Sequence, residues 1–304
     1  VAVAPGKLVY TQGLNEKGGI EADLTVTRLS ETAYLIVTGA ETEVRDFNWL
    51  KRHTPEDAHA VLTNVSSGMG VISIMGPNSR ALLQSISPND LSHEAFPFAT
   101  SQEIELGYAI VRASRITYVG ELGWELYIPT EFMAGVYDEI VAAGAAFGLK
   151  HCGYHALNAL RMEKAYRHWG HDITDEDTPL EAGLGFAVKM DKVGGFIGRD
   201  ALVAQKESGL KQRLVQFLLK SPEPMLYHKE PIWQGDRIAG YIRSGMYAHT
   251  LGGACGLGYV DAADGGVVGP IGADDYEIEI AGVRYPVTAS LKPFYDPTNA
   301  RIKI

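Results

Sequence analysis

The chain is poor in cysteine, in net positive charge and in long apolar runs, and each shortage removes a class of protein. Only two cysteines, Cys152 and Cys255, occur in 304 residues. They are far apart and have no paired spacing, so neither a disulfide framework nor a zinc ribbon is indicated. Both are expected to be buried as small apolar side chains. A formal charge of −10 is the wrong sign for a surface that coats phosphates with clustered Lys and Arg, which argues against a nucleic-acid partner. No segment approaches the roughly 20 apolar residues of a membrane helix, and Val1 to Tyr10 lacks the charged-then-apolar order of a secretory signal. A soluble, intracellular protein is expected. The usual nucleotide signatures are missing as well. The glycines at Gly183-Leu184-Gly185 and Gly252 to Gly258 do not spell Gly-x-Gly-x-x-Gly, and no phosphate loop ends in Gly-Lys-Ser or Gly-Lys-Thr.

What is present is an ordinary globular composition, 46% apolar, with enough chain for two packed domains. From Lys7 to Thr38 the pattern alternates. Ile20, Ala22, Leu24 and Val26 share one strand face and Glu21, Asp23, Thr25 and Thr27 the other. A polar break at Ser30 to Thr32 returns the chain through Tyr34 to Val37 as a hairpin, and Asn15 to Gly19 forms the turn before it. A second pair of strands covers Leu106 to Pro129, flanking the loop Val119 to Gly123. Asn78 to Gln84 opens a helix after Gly76-Pro77. Phe132, Val136, Ile140 and Val141 mark an amphipathic helix ending near Gly148, and another helix is expected from about Tyr154 to His168. The acidic stretch Asp172 to Glu181 reads as loop. After about Gly209 helical signals stop. Leu214 to Leu219, Ile238 to Ile242, Ala254 to Val260, Tyr276 to Ile280 and Tyr285 to Ala289 are short strands of a small barrel or sandwich. The fold class is therefore α+β, with an all-β C-terminal domain over 209–304. Val-Ala-Val-Ala-Pro-Gly has no initiator Met, as in a fragment or a processed product.

Several side chains are candidates for chemistry, and each has a plainer reading beside it. His151 and His155 have the i,i+4 spacing that sets two metal ligands on one helix face, with Cys152, His168 and His171 nearby. No Glu adjoins the first His and no third ligand is obvious, so packed or solvated histidines are preferred and no metal is expected. Asp23 is a carboxylate inside a strand, where β-propensity disfavours it. It is either a solvated residue or a functional one. Glu125 sits with Tyr127 on the face of a strand opposite Trp124, Leu126 and Ile128, and Tyr118 precedes it as a core or a site residue. Arg161 reads as a helix-surface cation paired with an acid, or as a ligand-binding one. Periodicity decides none of these.

Ordered blocks along the chain decide more. Tyr10 to Arg28, Met75 to Arg80, Tyr118 to Glu125, Leu160 to Asp172, Thr178 to Gly183, Phe196 to Arg199 and Gly240 to Gly245 together resemble the aminomethyltransferase (glycine cleavage T-protein) family. The likeness is strongest to the folate domain at the C-terminus of dimethylglycine and sarcosine dehydrogenases, and it covers almost the whole chain. It implies α+β lobes around a folate channel over 1–208, followed by a C-terminal β-barrel over 209–304. It also implies a family segment normally found before Val1. The implied cofactor is tetrahydrofolate, and the implied reaction moves an aminomethyl or methylene unit from a methylated glycine derivative or a glycine-derived aminomethyl group, giving 5,10-methylenetetrahydrofolate. Asp23 matches the family's catalytic aspartate, Tyr118 and Glu125 match residues that hold the pterin, and Arg161 matches a folate-site arginine. The implied partners are a small methylamine substrate and either a flavin-dependent oxidase domain or subunit, or a lipoyl carrier protein. The implied location is the cytoplasm, or the mitochondrial matrix in a eukaryote. Demethylation of a sulfonium or methylamine donor, and a non-catalytic regulatory domain, are the alternatives. A related iron–sulfur maintenance family carries Lys-Gly-Cys-x-x-Gly where this chain has Val193 to Arg199, which disfavours that branch.

Overall fold

The computed structural model describes residues 1–304. The chain runs β1 (Leu8–Leu14), β2 (Ile20–Arg28), β3 (Tyr34–Val37), α1 (Glu43–Arg52), β4 (Met69–Met75), α2 (Ser79–Ile86), β5 (Ser101–Leu106), β6 (Ala109–Ser114), β7 (Gly123–Pro129), α3 (Met133–Gly144), α4 (Tyr154–Glu163) and α5 (Arg199–Ser208), and then β8 (Gln212–Leu219), β9 (Pro231–Gln234), β10 (Arg237–Ala248), β11 (Gly253–Asp261), β12 (Glu277–Ile280) and β13 (Val283–Ser290). It forms two compact units. One comprises residues 1–10, 24–152 and 299–304, the other 11–23 and 153–298. The division falls within β1 and β2, which with β3 make a three-stranded sheet in the order β1-β2-β3.

In the first unit an antiparallel sheet runs β4-β7-β6-β5. Its central strand β7 alternates as expected, with Trp124, Leu126 and Ile128 fully buried. They pack with Leu82 and Leu83 of α2 and Val136 and Ile140 of α3 in one core, each large side chain contributing roughly 1.5–3 kcal/mol by leaving water. α3 ends in a short 3₁₀ turn capped by left-handed Gly148, which is the predicted terminus. β2 and β3 pair antiparallel, Thr25 against Val37 through Arg28 against Tyr34. The alternation of β2 holds from Ile20 to Val26. It fails at Thr27, which is buried rather than on the polar face.

The second unit is built on a closed six-stranded barrel, β10-β11-β8-β13-β12-β9. A barrel, not a sandwich, therefore closes the C-terminal region, and β9, opened by Pro231, is the strand the pattern missed. β11 is buried along nearly its whole length because both its faces are covered. Ala254 and Val260 join the barrel interior, while Cys255, Leu257 and Tyr259 face Met162 and Ala165 at the end of α4.

α4 is shorter than the predicted helix, stopping at Glu163 and not near His168. Its last carbonyls are diverted. Gln216 Nε2 donates to Met162 O at 2.6 Å and to Glu163 O at 3.2 Å, satisfying acceptors that a longer helix would have used. Ala165 then turns the chain with a left-handed φ of 54°. No helix is long and apolar enough to cross a membrane.

Candidate functional site

Asp23 depends on the tight turn that precedes it. Asn15 Oδ1 accepts from the Lys17 and Gly19 amides at 3.0 Å each, and Asn15 N donates to Gly19 O at 2.9 Å. The turn is pinned from outside by the loop that follows α4. Asn15 Nδ2 donates to Asp175 O at 2.9 Å, Ile20 N donates to Asp177 O at 3.0 Å, and Trp169 Nε1 donates to Ile20 O at 2.8 Å. Gly19 leaves no room for a side chain, because a Cβ there would lie 1.8 Å from Asp175 O. The start of β2 is thus held at both ends of its first turn. Three residues on, Asp23 is partly buried and receives a hydrogen bond from Gln12 Nε2 to its Oδ1 at 3.1 Å. The other atom of that amide, Gln12 Oε1, is buried and has no partner.

Arg161 lies in the same compact unit, and it is no surface cation. It is 2% exposed, and its partner Asp172 is completely buried. Arg161 Nη1 donates to Asp172 Oδ2 and, at 3.1 Å, to Tyr166 O, while Nε donates to Asn158 Oδ1 at 3.2 Å. Asp172 Oδ2 also accepts the His168 amide at 2.9 Å, and its Oδ1 is buried without a partner. The loop that carries Asp172 is the one that pins the Asn15 to Gly19 turn. A single segment therefore links the strand of Asp23 with the guanidinium of Arg161. Within it Asp177, 1% exposed, accepts from Thr174 N and Thr174 Oγ1 at 2.8 and 3.0 Å, which fixes the loop's own conformation.

Tyr118 and Glu125 belong to the other unit. Tyr118 is partly buried in the bend leading into β7, and Glu125 is partly buried on that strand. Glu125 stands in register with Ser73 of β4 and Ser114 of β6, so the two residues directly opposite it carry no charge. Tyr127 Oη donates to Glu125 Oε2 at 2.6 Å. Burial pushes the Glu125 carboxyl above its ordinary range, and the bond from Tyr127 only partly offsets this. The same burial, with the Glu125 charge next in weight, pushes the Tyr127 phenol far up. Glu125 thus remains short of donors, the condition under which a carboxylate gains most from an N–H-bearing ligand.

Two other expectations change. His151 precedes the first residue of α4, so it shares no helix face with His155. Its Nε2 lies 3.0 Å from Tyr137 Oη. Cys152 is exposed while Cys255 is buried, because Cys152 sits between α3 and α4, outside the buried clusters. Gln12 is the side chain that sequence reasoning left without a role. A polar residue shortly before a hairpin turn, with an acid shortly after it, is the signal that could have paired them.

Comparison with known proteins agrees with this architecture. Residues 1–192 match the GCVT N-terminal domain and residues 212–296 match the glycine cleavage T-protein C-terminal barrel domain. The chain is 39% identical to human mitochondrial sarcosine dehydrogenase, over all of this chain and 35% of that protein. It spans about a third of the length of such relatives. It is 34% identical to the aminomethyltransferase of Shouchella clausii strain KSM-K16, over 95% of this chain and 76% of that one. In structure it resembles the glycine cleavage system aminomethyltransferase T of Bartonella henselae, with a TM-score of 0.84 at 22% identity, over 97% of this chain and 78% of that one. With both family segments matched in order and the barrel closed as that family requires, the chain belongs to the glycine cleavage T-protein (aminomethyltransferase) family.

Proposed function

We propose that the chain transfers a one-carbon unit, as an aminomethyl or methylene group, from a methylated glycine derivative to tetrahydrofolate. Asp23 carries the chemistry, and Tyr118, Glu125 and Arg161 hold the folate. The observation that carries the reading is Asp23 itself, a partly buried carboxylate on a strand whose turn is pinned by the six hydrogen bonds described above and whose Oδ1 is held by Gln12. Such a group is positioned before any ligand arrives, and preorganised charge in a partly desolvated site stabilises a developing cation more than a mobile solvated carboxylate would.

The residues present fit a reduced folate. Glu125, short of donors, suits the amino-pyrimidine edge, from which an ionised carboxylate accepts two parallel N–H bonds. Arg161 spends Nε and Nη1 on its own chain, which leaves its Nη2 as the donor it can offer. When bound, tetrahydrofolate supplies the nitrogens that accept the carbon. The protein's part is to orient those nitrogens and to place the Asp23 carboxylate beside the cationic donor carbon. Residues 1–208 form the folate-binding body in this reading and residues 209–304 the barrel that supports it. Oxidation of the methylamine belongs to a flavin-dependent domain or subunit, in keeping with the name of the sarcosine dehydrogenase relative and the third of it that this chain matches. A lipoyl carrier is the other source of an aminomethyl group.

The test is Asp23→Asn. Capture by tetrahydrofolate of an imine generated in situ from sarcosine by a flavoenzyme should fall about 10²- to 10³-fold above the uncatalysed background, while folate affinity measured by calorimetry changes only a few-fold. Undiminished capture removes Asp23 from the chemistry. Absence of tetrahydrofolate binding to the native chain removes the function.

A further inference from the structure

We infer that Gln12 is a two-ended positioning residue, its Nε2 fixing the Asp23 carboxylate and its Oε1 accepting an N–H from the bound ligand. The inference rests on the function proposed above and extends it to the kind of nitrogen the site accepts. Three observations support it. Gln12 and Asp23 lie on the two strands that flank the Asn15 to Gly19 turn, and Nε2 donates to Oδ1 at 3.1 Å. The reverse orientation of the amide would set its oxygen against a carboxylate, so charge selects the end that faces Asp23. Oε1 is then the acceptor that remains, and it is buried with no donor in the chain. A buried acceptor without a partner is rare in folded proteins and costs free energy. A ligand N–H that reaches it recovers that cost.

The two acceptors are close together. Oε1 and Nε2 belong to one amide, so Oε1 lies within roughly 5 Å of Asp23 Oδ1, about the observed bond plus the width of the group. A carboxylate with a neutral acceptor beside it suits a cationic or polarised nitrogen that carries a hydrogen. Two ligands offer one. The first is an amine or iminium derived from a monomethylated donor; a quaternary nitrogen has no N–H to offer, and neither has the iminium formed from a dimethylated donor. The second is a ring N–H of the reduced pterin.

The carboxylate end is tested without reference to activity. In carbon-detected NMR of the native chain, with the Asp23 resonance assigned by its absence from Asp23→Asn, Gln12→Leu should raise the Asp23 titration midpoint by about one unit, a tenfold change in proton affinity, because a bond to the ionised form is lost. Gln12→Glu keeps the shape and replaces the donor with a second acid, and should raise the midpoint of the pair further. A midpoint within a few tenths of native in both variants overturns the clamp.

The ligand end is tested with three probes: tetrahydrofolate by calorimetry, and sarcosine against glycine betaine, which has no N–H, by saturation-transfer NMR. If the amine is the donor, the native chain prefers sarcosine, Gln12→Leu loses that preference, and tetrahydrofolate binding is unchanged. If the pterin is the donor, Gln12→Leu weakens tetrahydrofolate about tenfold. If neither changes, the acceptor role is wrong. Should the native chain bind none of the three probes, the proposed function and the acceptor role fall together, and the titration alone still decides the clamp.

Discussion

Glu125 on β7 and Arg161 on α4 are both charged side chains in segments shared with the family, yet their surroundings differ in one decisive respect. Arg161 is matched within its own unit, with a buried carboxylate, a carbonyl and an amide oxygen all accepting from it. Glu125 receives a bond from Tyr127, and burial still drives its carboxyl upward. A charge satisfied by its own chain holds the fold together. A charge left short of partners favours a ligand that supplies them. Arg161 therefore serves structure first; in the proposed function it offers a ligand only what remains, whereas Glu125 gives up stability in the free chain and regains it on binding.

The sharpest way to break this comparison is to delete the cation. Arg161→Ala should cost about 3–5 kcal/mol, the usual penalty for stranding a buried charge, because Asp172 is completely buried and already has one oxygen without a partner. Urea titration at pH 7 measures it. A loss below 1 kcal/mol would mean that the pair is solvated, and that Arg161 is as available to a ligand as Glu125.

Little of this contrast could be read from the chain. The strand of Glu125 was legible because Trp124, Leu126 and Ile128 alternate with it, and a period of two says which face is polar. The turn at Asn15 to Gly19 was legible because the sequence alternates beyond it. The burial of Arg161 was hidden. It follows from where α4 stops, and that is set by Gln216 on β8, more than fifty residues away, capturing the last carbonyls. The exposure of Cys152 was hidden likewise, since a small apolar residue carries no pattern of its own. Thr27 broke its strand's alternation, being buried where a period of two places a polar face. Family resemblance supplied roles for Asp23, Tyr118, Glu125 and Arg161, but Gln12 became visible only once the hairpin was closed.

Glu125→Gln should do the opposite of Arg161→Ala. Above the pH at which Glu125 ionises in the fold, it removes a charge that burial penalises, so the free chain there should be as stable as native or slightly more so. Tetrahydrofolate affinity should fall about 10- to 100-fold, the range for losing a charge-assisted pair of hydrogen bonds. The sign of the pH dependence follows from the raised carboxyl. Glu125 contributes stability that is fully present below its unfolded value near 4.5 and is lost as pH rises through its higher folded value. The difference in unfolding free energy between native and Glu125→Gln should therefore grow in favour of the variant as pH rises from 4.5, and level off once Glu125 is ionised in the fold. A flat difference across that range would show that the carboxyl is not desolvated.

The smallest effect expected is that of Tyr127→Phe, and it separates two explanations of the Glu125 carboxyl. If burial alone sets it, removing a hydroxyl 2.6 Å from Oε2 leaves the titration where it was. If the bond from Tyr127 already offsets part of the burial, as its lowering influence on Glu125 implies, then Tyr127→Phe raises the carboxyl further. It also costs about 1 kcal/mol at pH 7, the net worth of one hydrogen bond. Folate affinity should then change in the direction opposite to Glu125→Gln when measured above the shifted midpoint, because a carboxylate that has lost its internal donor gains more from those of the ligand. Carbon-detected NMR titration of Glu125 with and without tetrahydrofolate measures both. A midpoint unmoved by the substitution would assign the whole of the shortage to burial and leave Tyr127 a packing residue.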